Sequence, residues 1–152
     1  MQSFDERRRH VLEAGAGVAA VSLAGCLGFL GEDIEFDEEV PESVADHLST
    51  ANNVDGSITD RTGLDELHVE NGPDGDLAYD PALVRIDAGT TVTWEWLSDG
   101  HTVTSTDGAI DLNTDQESTG FEVSHTFDDP GNYFYECRPH ASAGHLGAII
   151  VD

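Results

Sequence analysis

The sequence contains no lysine, and its 152 residues include six arginines against 31 aspartates and glutamates. The first 25 residues hold Arg7, Arg8 and Arg9 with three of the acids, which leaves 28 acids and three arginines in the rest of the chain. That remainder carries a net charge of −25 with histidine neutral. A field of this strength repels anions, so we do not expect nucleic acid as a partner.

Long hydrophobic runs are also absent. The apolar stretch after the three arginines is too short and too rich in glycine to span a bilayer well. A positive head, an apolar stretch and small residues before Cys26 are typical of an export signal. The adjacent arginines favour a twin-arginine signal over residues 1–25, and Leu23-Ala24-Gly25-Cys26 resembles a lipobox, in which the cysteine is lipidated. The alternative is an uncleaved N-terminal anchor helix.

Cysteine is scarce, with two in the chain, Cys26 and Cys137. If Cys26 is lipidated, Cys137 has no partner and no intramolecular disulfide can form. A lone thiol in an exported protein needs an explanation, and metal ligation is one.

Helical patterning is confined to one short segment. Residues 26–42 are acidic and lack periodicity, which indicates a flexible tether. Residues 43–63 predict a short helix and a turn, since Val44 and Leu48 lie four apart and Ser43 could cap the helix.

From residue 64 to residue 152 the pattern predicts one β domain. Val92, Trp94 and Trp96 alternate with polar residues, as in a half-buried strand. The stretch LAYDPALVRIDAG is expected to form one strand interrupted at Pro81. Seven or so short strands with turns between them indicate an all-β sandwich or small barrel.

Three histidines are not expected to be ligands. His47 is placed on the short helix and His68 on a solvent face. His125 falls on the apolar side of its strand by period, so we expect a core histidine. Asp111, Asp115 and Glu117 lie in a long polar loop that could hold a cation, although solvated surface is the default.

The segment from Cys137 to His145 carries the chemistry. Cys137, His140 and His145 lie within nine residues directly after a predicted strand, and thiolate with imidazole suits copper, zinc or iron. His101 lies 36 residues earlier at a strand start, where a barrel could bring it to the same pole. A catalytic Cys–His pair is the competing interpretation, but no protease or transferase motif surrounds Cys137.

The chain resembles the halocyanins, which are small blue copper proteins of the cupredoxin (plastocyanin and azurin) family. The resemblance lies in the lipobox, the YDPALVRIDAGTTVTWEW stretch, the Gly-His-Thr-Val segment and the Gly-x-Tyr-x-Tyr-x-Cys-x-Pro-His run at 131–140. It implies a cupredoxin-like Greek-key β-sandwich or barrel of about seven to eight strands with a short N-terminal helix. It also implies that His101, Cys137 and His140 bind one copper ion, and that His140 forms the exposed edge where a partner docks.

The resemblance further implies a function. The family shuttles single electrons near the outer face of the membrane, so we expect an electron carrier rather than an enzyme. Membrane-bound or extracytoplasmic redox proteins would be its partners, a lipid anchor on Cys26 would hold it to the membrane, and we expect a monomer. Acids spread along the chain without lysine resemble proteins of extreme halophiles. A copper storage or delivery protein and a small copper redox enzyme with an open metal position are the alternatives.

Two positions depart from the family pattern. His145 stands where the family has an axial methionine, and Thr102 stands after the first histidine, where asparagine is common. We expect His145 to bind copper as a fourth ligand and to favour Cu(II), because imidazole is a harder and stronger donor than a thioether. Three histidines and a cysteine also suit zinc. The alternative is that His145 turns away into solvent.

Overall fold

Alternating apolar residues build the strands of two β-sheets in the computed structural model, which describes residues 34–152. These residues form nine strands, one α-helix and two short 3₁₀ turns. The strands are β1 Thr59–Asp60, β2 Glu66–Asn71, β3 Tyr79–Asp80, β4 Leu83–Ile86, β5 Thr90–Trp96, β6 Thr104–Ser105, β7 Glu122–Phe127, β8 Gly131–Glu136 and β9 Leu146–Val151. The helix α1 is Glu42–Leu48, and the 3₁₀ turns are Pro73–Gly75 and Arg138–Ala143.

The strands form two sheets, one with the order β1-β4-β9-β8-β6 and one with the order β3-β2-β5-β7. This confirms the predicted all-β sandwich, while the barrel alternative does not apply because the sheets remain separate. The nine strands of the described region exceed the expected seven or eight because β1, β3 and β6 contain only two residues each.

The alternation in β5 shows why these residues form a sandwich. Val92, Trp94 and Trp96 are fully buried between the sheets, whereas Thr91, Thr93 and Glu95 face outward and are only half-buried. Burying each large apolar side chain stabilises the fold by roughly 1.5–3 kcal/mol. The inter-sheet core also contains Cys137, so this predicted ligand is anchored among buried apolar side chains.

The stretch around Pro81 is not one interrupted strand, as the sequence suggested. β3 pairs with β2 in the four-stranded sheet, whereas β4 pairs with β9 in the other sheet. Proline has no backbone N–H and cannot continue a ladder. Pro81 therefore lies where the chain crosses from one sheet to the other.

Helix α1 covers the outer face of the five-stranded sheet. Val44 and Leu48 are buried there against residues of β4 and β9. Pro41 rather than Ser43 stands at the N-cap, where its fixed φ suits the entry into the helix, and Ser43 lies inside the first turn. Nε2 of His47 lies 3.2 Å from the Tyr135 carbonyl and 3.0 Å from the Gly147 carbonyl, so this histidine ties the helix to β8 and β9.

The histidines of the other sheet lie nearer the surface. His68 is exposed, as predicted. His125 is not a core histidine but half-buried, because β7 is an edge strand whose inner face is only partly covered.

Several sequence predictions concern residues 1–33, which lie outside the described residues. They are the export signal over 1–25, lipidation of Cys26 and the first part of the tether over 26–42. Within residues 34–152, no helix has the length and hydropathy needed to cross a membrane.

Candidate metal centre

The four predicted ligands meet at one end of the sandwich. His101 forms an isolated bridge with Glu117 shortly before β6, and Cys137 follows β8 directly. His140 lies in the 3₁₀ turn and His145 immediately before β9. One potential ligand atom from each of the four lies within 4.8 Å of the others. The structure thus brings together residues from two distant parts of the chain.

Cys137 offers a sulfur donor from the inter-sheet core. Its side chain is fully buried, and its Sγ lies 3.4 Å from Nδ1 of His140 and 3.9 Å from Nδ1 of His101. The backbone N–H of Thr102 donates to the sulfur at 3.4 Å. Burial is the largest influence on the thiol and raises its pKa. An unpaired thiolate is therefore disfavoured here, and a bound cation would reverse that preference.

His101 is fixed from the side facing away from the cluster. The Ser98 hydroxyl donates its only proton to the Gly72 carbonyl at 2.7 Å, so its oxygen must accept from Nε2–H of His101, also at 2.7 Å. Nδ1 of His101 therefore keeps its lone pair on the side of Cys137. Gly72 has a positive φ of 71°, and a Cβ there would collide with His101 and Ser98, so this position requires glycine.

His145 is completely buried, which contradicts the alternative that it turns into solvent. Its Nε2 lies 2.9 Å from Oδ1 of Asn71. Its Nδ1 is buried and has no hydrogen-bond partner. Burial, followed by the nearby His101 and His140, lowers the pKa of His145 to about 3, so the ring is neutral. A buried imidazole nitrogen without a hydrogen-bond partner, on a ring grouped with a thiol and two other imidazoles, fits a metal ligand.

His140 belongs to a loop whose backbone is hydrogen-bonded to Asn52, a residue outside the metal cluster. Its ring is half-buried, whereas His101 and His145 are buried. The loop turns back at Gly144, which has a φ of 95°. Asn52, which follows α1, donates from its side chain to the Ala143 carbonyl at 2.7 Å, and its backbone N–H donates to the Gly144 carbonyl at 2.8 Å. The residue that follows α1 therefore fixes the backbone of the loop between His140 and His145.

Thr102 connects the segment that carries His101 to the segment that begins at Cys137. Besides the N–H directed at the sulfur, its Oγ1 accepts a hydrogen bond from the Arg138 N–H at 3.0 Å. The same hydroxyl also lies 3.2 Å from Oγ1 of Thr104. It fixes the start of the ligand loop relative to the segment that carries His101.

The donor set fits a small thiophilic metal ion. Metal–sulfur bonds of about 2.3 Å and metal–nitrogen bonds of about 2.0–2.1 Å place tetrahedral ligand atoms roughly 3.3–3.6 Å apart. The sulfur–nitrogen distances of 3.4 and 3.9 Å are close to this range. Imidazole and thiolate together suit copper or zinc. The chain has one methionine, Met1, so residues 34–152 contain no thioether ligand.

Sequence reasoning missed the residues that orient the ligands, namely Asn71, Ser98 and Asn52. Asn71-Gly72 fits a turn equally well, and Ser98 has no motif of its own. The alternation of β2 offered one signal, because Asn71 falls on the inward face with Leu67 and Val69. A buried asparagine at a strand end needs polar partners.

A second group of potential ligands lies on the outer face of the four-stranded sheet. His68, Glu95 and Glu122, from β2, β5 and β7, have donor atoms within 4.8 Å of one another. The group is exposed or half-buried and has no buried donor. Asp111, Asp115 and Glu117, by contrast, do not form a metal-ligating group within residues 34–152.

A two-sheet sandwich with two histidines and a cysteine clustered at one end is the arrangement of the cupredoxin class of small metal proteins, and His145 is the addition that this chain makes to it. Comparison with known sequences agrees. Residues 67–152 match the family described as copper binding proteins of the plastocyanin/azurin family. The chain is 42% identical to halocyanin from Natronomonas pharaonis over 158 aligned residues, which cover 96% of this chain and 97% of that protein. The chain therefore belongs to the plastocyanin/azurin family of copper-binding proteins, and it is halocyanin-like.

More distant relatives match a little over half of the chain. Pseudoazurin from Methylorubrum extorquens is 33% identical over 92 residues, covering 57% of this chain and 62% of that protein. The solved structure of oxidised plastocyanin from Dryopteris crassirhizoma superimposes with a TM-score of 0.49 and 24% identity, covering 57% of this chain and all of that one. A structure titled as a purple cupredoxin from Nitrosopumilus maritimus gives a TM-score of 0.45 and 29% identity, covering 56% and 98% of the two chains.

Proposed function

We propose that the chain is a mononuclear copper electron carrier in which His101, Cys137, His140 and His145 hold the metal. The observation that carries the proposal is the cluster of four donors, one of which is a buried imidazole nitrogen without any other partner. When bound, copper supplies one-electron chemistry by alternating between Cu(I) and Cu(II). The protein holds the donors in place and gives a redox partner access to the metal.

The protein's first task is to hold the donors in place in either oxidation state. Cys137 is fixed by the inter-sheet core, and His101 and His145 are fixed by Ser98 and Asn71. Donors that cannot relax keep the reorganisation energy of electron transfer small. The burial of three of the four donors also excludes water from most of the site.

Electron exchange requires one approach to the metal from outside, and His140 is the donor placed for it. It is the only one of the four that is not buried. A redox partner that docks at this end of the sandwich would contact the His140 ring edge first.

His145 should change the properties of the site. An imidazole donor stabilises Cu(II) relative to Cu(I) more than a thioether does. A tenfold stabilisation of the oxidised form, about 1.4 kcal/mol, lowers a one-electron potential by roughly 60 mV. We therefore expect a lower potential and a weaker copper–thiolate bond than in a methionine-ligated relative.

The setting that we propose is the outer face of the cell membrane. The support is the order of arginines, apolar stretch and lipobox before Cys26, together with the full-length similarity to halocyanin. The partners would be membrane-bound or extracytoplasmic redox proteins, with the chain acting as a monomer.

A copper storage or delivery protein is the second candidate. The observation that favours it is the burial of His145, since a fully enclosed four-donor site retains its ion well. Zinc would also fit three imidazoles and a thiolate.

Copper loading and voltammetry on the refolded protein in high salt test the proposal. We expect one tightly bound copper and a reversible one-electron wave. His68→Ala serves as the control background, because it removes the imidazole of the outer-face group and leaves the four proposed ligands intact. Tight copper binding with no reversible wave would support the storage function, and preferential loading of zinc would contradict copper as the resident metal.

A further inference from the structure

Within residues 34–152, Asn71 is the one buried side chain that is hydrogen-bonded to the side chain of His145, and it is not itself a proposed ligand. Both residues are completely buried, so neither can exchange its partner for solvent. The family pattern explains neither His145 nor an asparagine placed to meet it. The proton arrangement around this pair therefore has consequences for the metal site.

The orientation of the Asn71 amide follows from its second contact. Its Nδ2 reaches the Thr102 carbonyl at 3.5 Å, and a carbonyl can only accept a hydrogen bond. The Asn71 oxygen must then face His145, as the 2.9 Å contact to Nε2 shows. An oxygen of an amide also only accepts, so Nε2 of His145 must carry the proton.

This arrangement selects one tautomer of His145. A neutral imidazole has one N–H and one lone pair. With the proton on Nε2, the lone pair lies on Nδ1, which is buried, has no hydrogen-bond partner and is therefore the nitrogen left to serve as the donor of His145. We propose that Asn71 is the positioning residue for the axial ligand, holding His145 in the tautomer and ring orientation in which Nδ1 can bind the metal. The inference rests on the proposed four-ligand site and deepens it.

The same amide connects the axial ligand to the thiolate. The Thr102 carbonyl that accepts from Asn71 also accepts from the Tyr79 hydroxyl at 2.7 Å. The N–H of Thr102 donates to Sγ of Cys137. Asn71 therefore belongs to a continuous chain of contacts from His145 to the sulfur, which makes a change at position 71 visible in the spectrum of the copper–thiolate bond.

A double-mutant cycle between Asn71 and His145 tests the proposal. Loss of an outer partner of a ligating histidine lowers metal affinity by roughly 10–100-fold. We expect Asn71→Ala to lower Cu(II) affinity by about tenfold in the native background, and to change it less than about twofold in the His145→Ala background. A merely structural role would produce the same loss in both backgrounds.

Two further variants sharpen the test. Asn71→Asp keeps an acceptor for Nε2–H and should hold His145 in the same tautomer, although it loses the N–H that donates to the Thr102 carbonyl. Asn71→Ala loses both contacts and should shift the paramagnetic resonance spectrum of the Cu(II) protein. Asn113→Asp, in an exposed loop, adds the same charge and should change neither spectrum nor affinity. In the metal-free protein, nitrogen-15 NMR of His145 should show the Nε2–H tautomer, with the other tautomer gaining population in Asn71→Ala.

The outcomes separate this inference from the proposed function. If His145→Ala alters the Cu(II) spectrum but Asn71→Ala alters neither spectrum, affinity nor tautomer, the positioning role is wrong and the four-ligand site stands. If His145→Ala itself leaves the spectrum unchanged, the axial ligation is wrong and the inference falls with it. Equal affinity losses for Asn71→Ala in both backgrounds would also overturn the positioning role.

Discussion

His101 and His145 differ from His140 in what holds them. The two buried rings each use one nitrogen to contact a polar side chain at a strand end, Ser98 or Asn71, and offer the other nitrogen to the site. His140 is half-buried, and its one side-chain hydrogen-bond contact in the described region is with Cys137. In the proposed function, the buried pair sets the geometry of the site and His140 provides access to the metal. The predictions below test this division, starting with the largest expected effect.

Cys137 contacts both the buried His101 and the more exposed His140, so its replacement should reduce copper binding more than any other change. Cys137→Ser replaces a thiolate by a hydroxyl that stays protonated near neutral pH. We expect the intense visible absorption of the copper–thiolate bond to vanish. Cu(II) affinity should fall by more than the roughly 10–100-fold that the loss of an outer-shell partner costs. Titration with copper followed by absorption and competition measurements checks this, and a retained visible band would place the sulfur ligand elsewhere.

The buried pair should make the metal-free protein sensitive to acid. Burial lowers the pKa of His145 from 6.5 to about 3 and also lowers the pKa of His101. Between these values the unfolded chain binds the proton and the folded chain does not. The stability that the neutral ring confers is complete above about pH 6.5 and is lost as the pH falls towards 3, by up to about 1.4 kcal/mol per pH unit for His145.

Urea unfolding of the metal-free protein across this range, at constant high salt, measures the slope. His145→Leu should remove its share of the pH dependence, because leucine has no group to titrate. An identical slope in this variant would show that other groups cause the acid sensitivity.

His145→Met should raise the reduction potential by roughly 60 mV or more, since a tenfold weaker preference for Cu(II) corresponds to that shift. It should also strengthen the copper–thiolate absorption near 600 nm. Voltammetry and absorption spectra of the two proteins provide the comparison. An unchanged potential would indicate that residue 145 does not interact with copper.

His140→Gly tests whether the one donor of the four that is not buried provides the path for electrons. We expect copper to remain bound through the buried donors, while electron exchange slows by about tenfold, or ~1.4 kcal/mol of activation free energy. Added imidazole should restore the rate by occupying the vacated position. Exchange rates from NMR line broadening measure this effect, and an unaltered rate would show that electrons enter by another path.

Much of the fold could be predicted because one face of each central strand is buried. The alternation in β5 and the apolar residues of β9 identified buried strands without any knowledge of their neighbours. Edge strands were harder. His125 was assigned to the core from its period alone, but period does not reveal that β7 has a neighbour on one side only. The break at Pro81 likewise did not reveal that two different sheets meet there.

The cluster of four side chains could be predicted for a different reason than the residues that orient it. Cys137, His140 and His145 lie within a single short segment, and thiolate and imidazole have few structural uses so close together. Asn71 and Ser98 act across 74 and 3 positions in the chain, respectively. An asparagine before Gly-Pro fits a turn equally well. Only the tertiary structure shows that its amide is buried against a ligand.

A crystal structure of the copper-loaded protein would test most directly the central claim that His145 is a copper ligand. We predict that Nδ1 of His145 lies within bonding distance of the metal, near the roughly 2.0–2.1 Å of typical metal–imidazole bonds, or somewhat longer for an axial ligand. Nε2 should remain bonded to Asn71. A His145 ring turned away from copper, or a water molecule in the fourth position, would contradict the account.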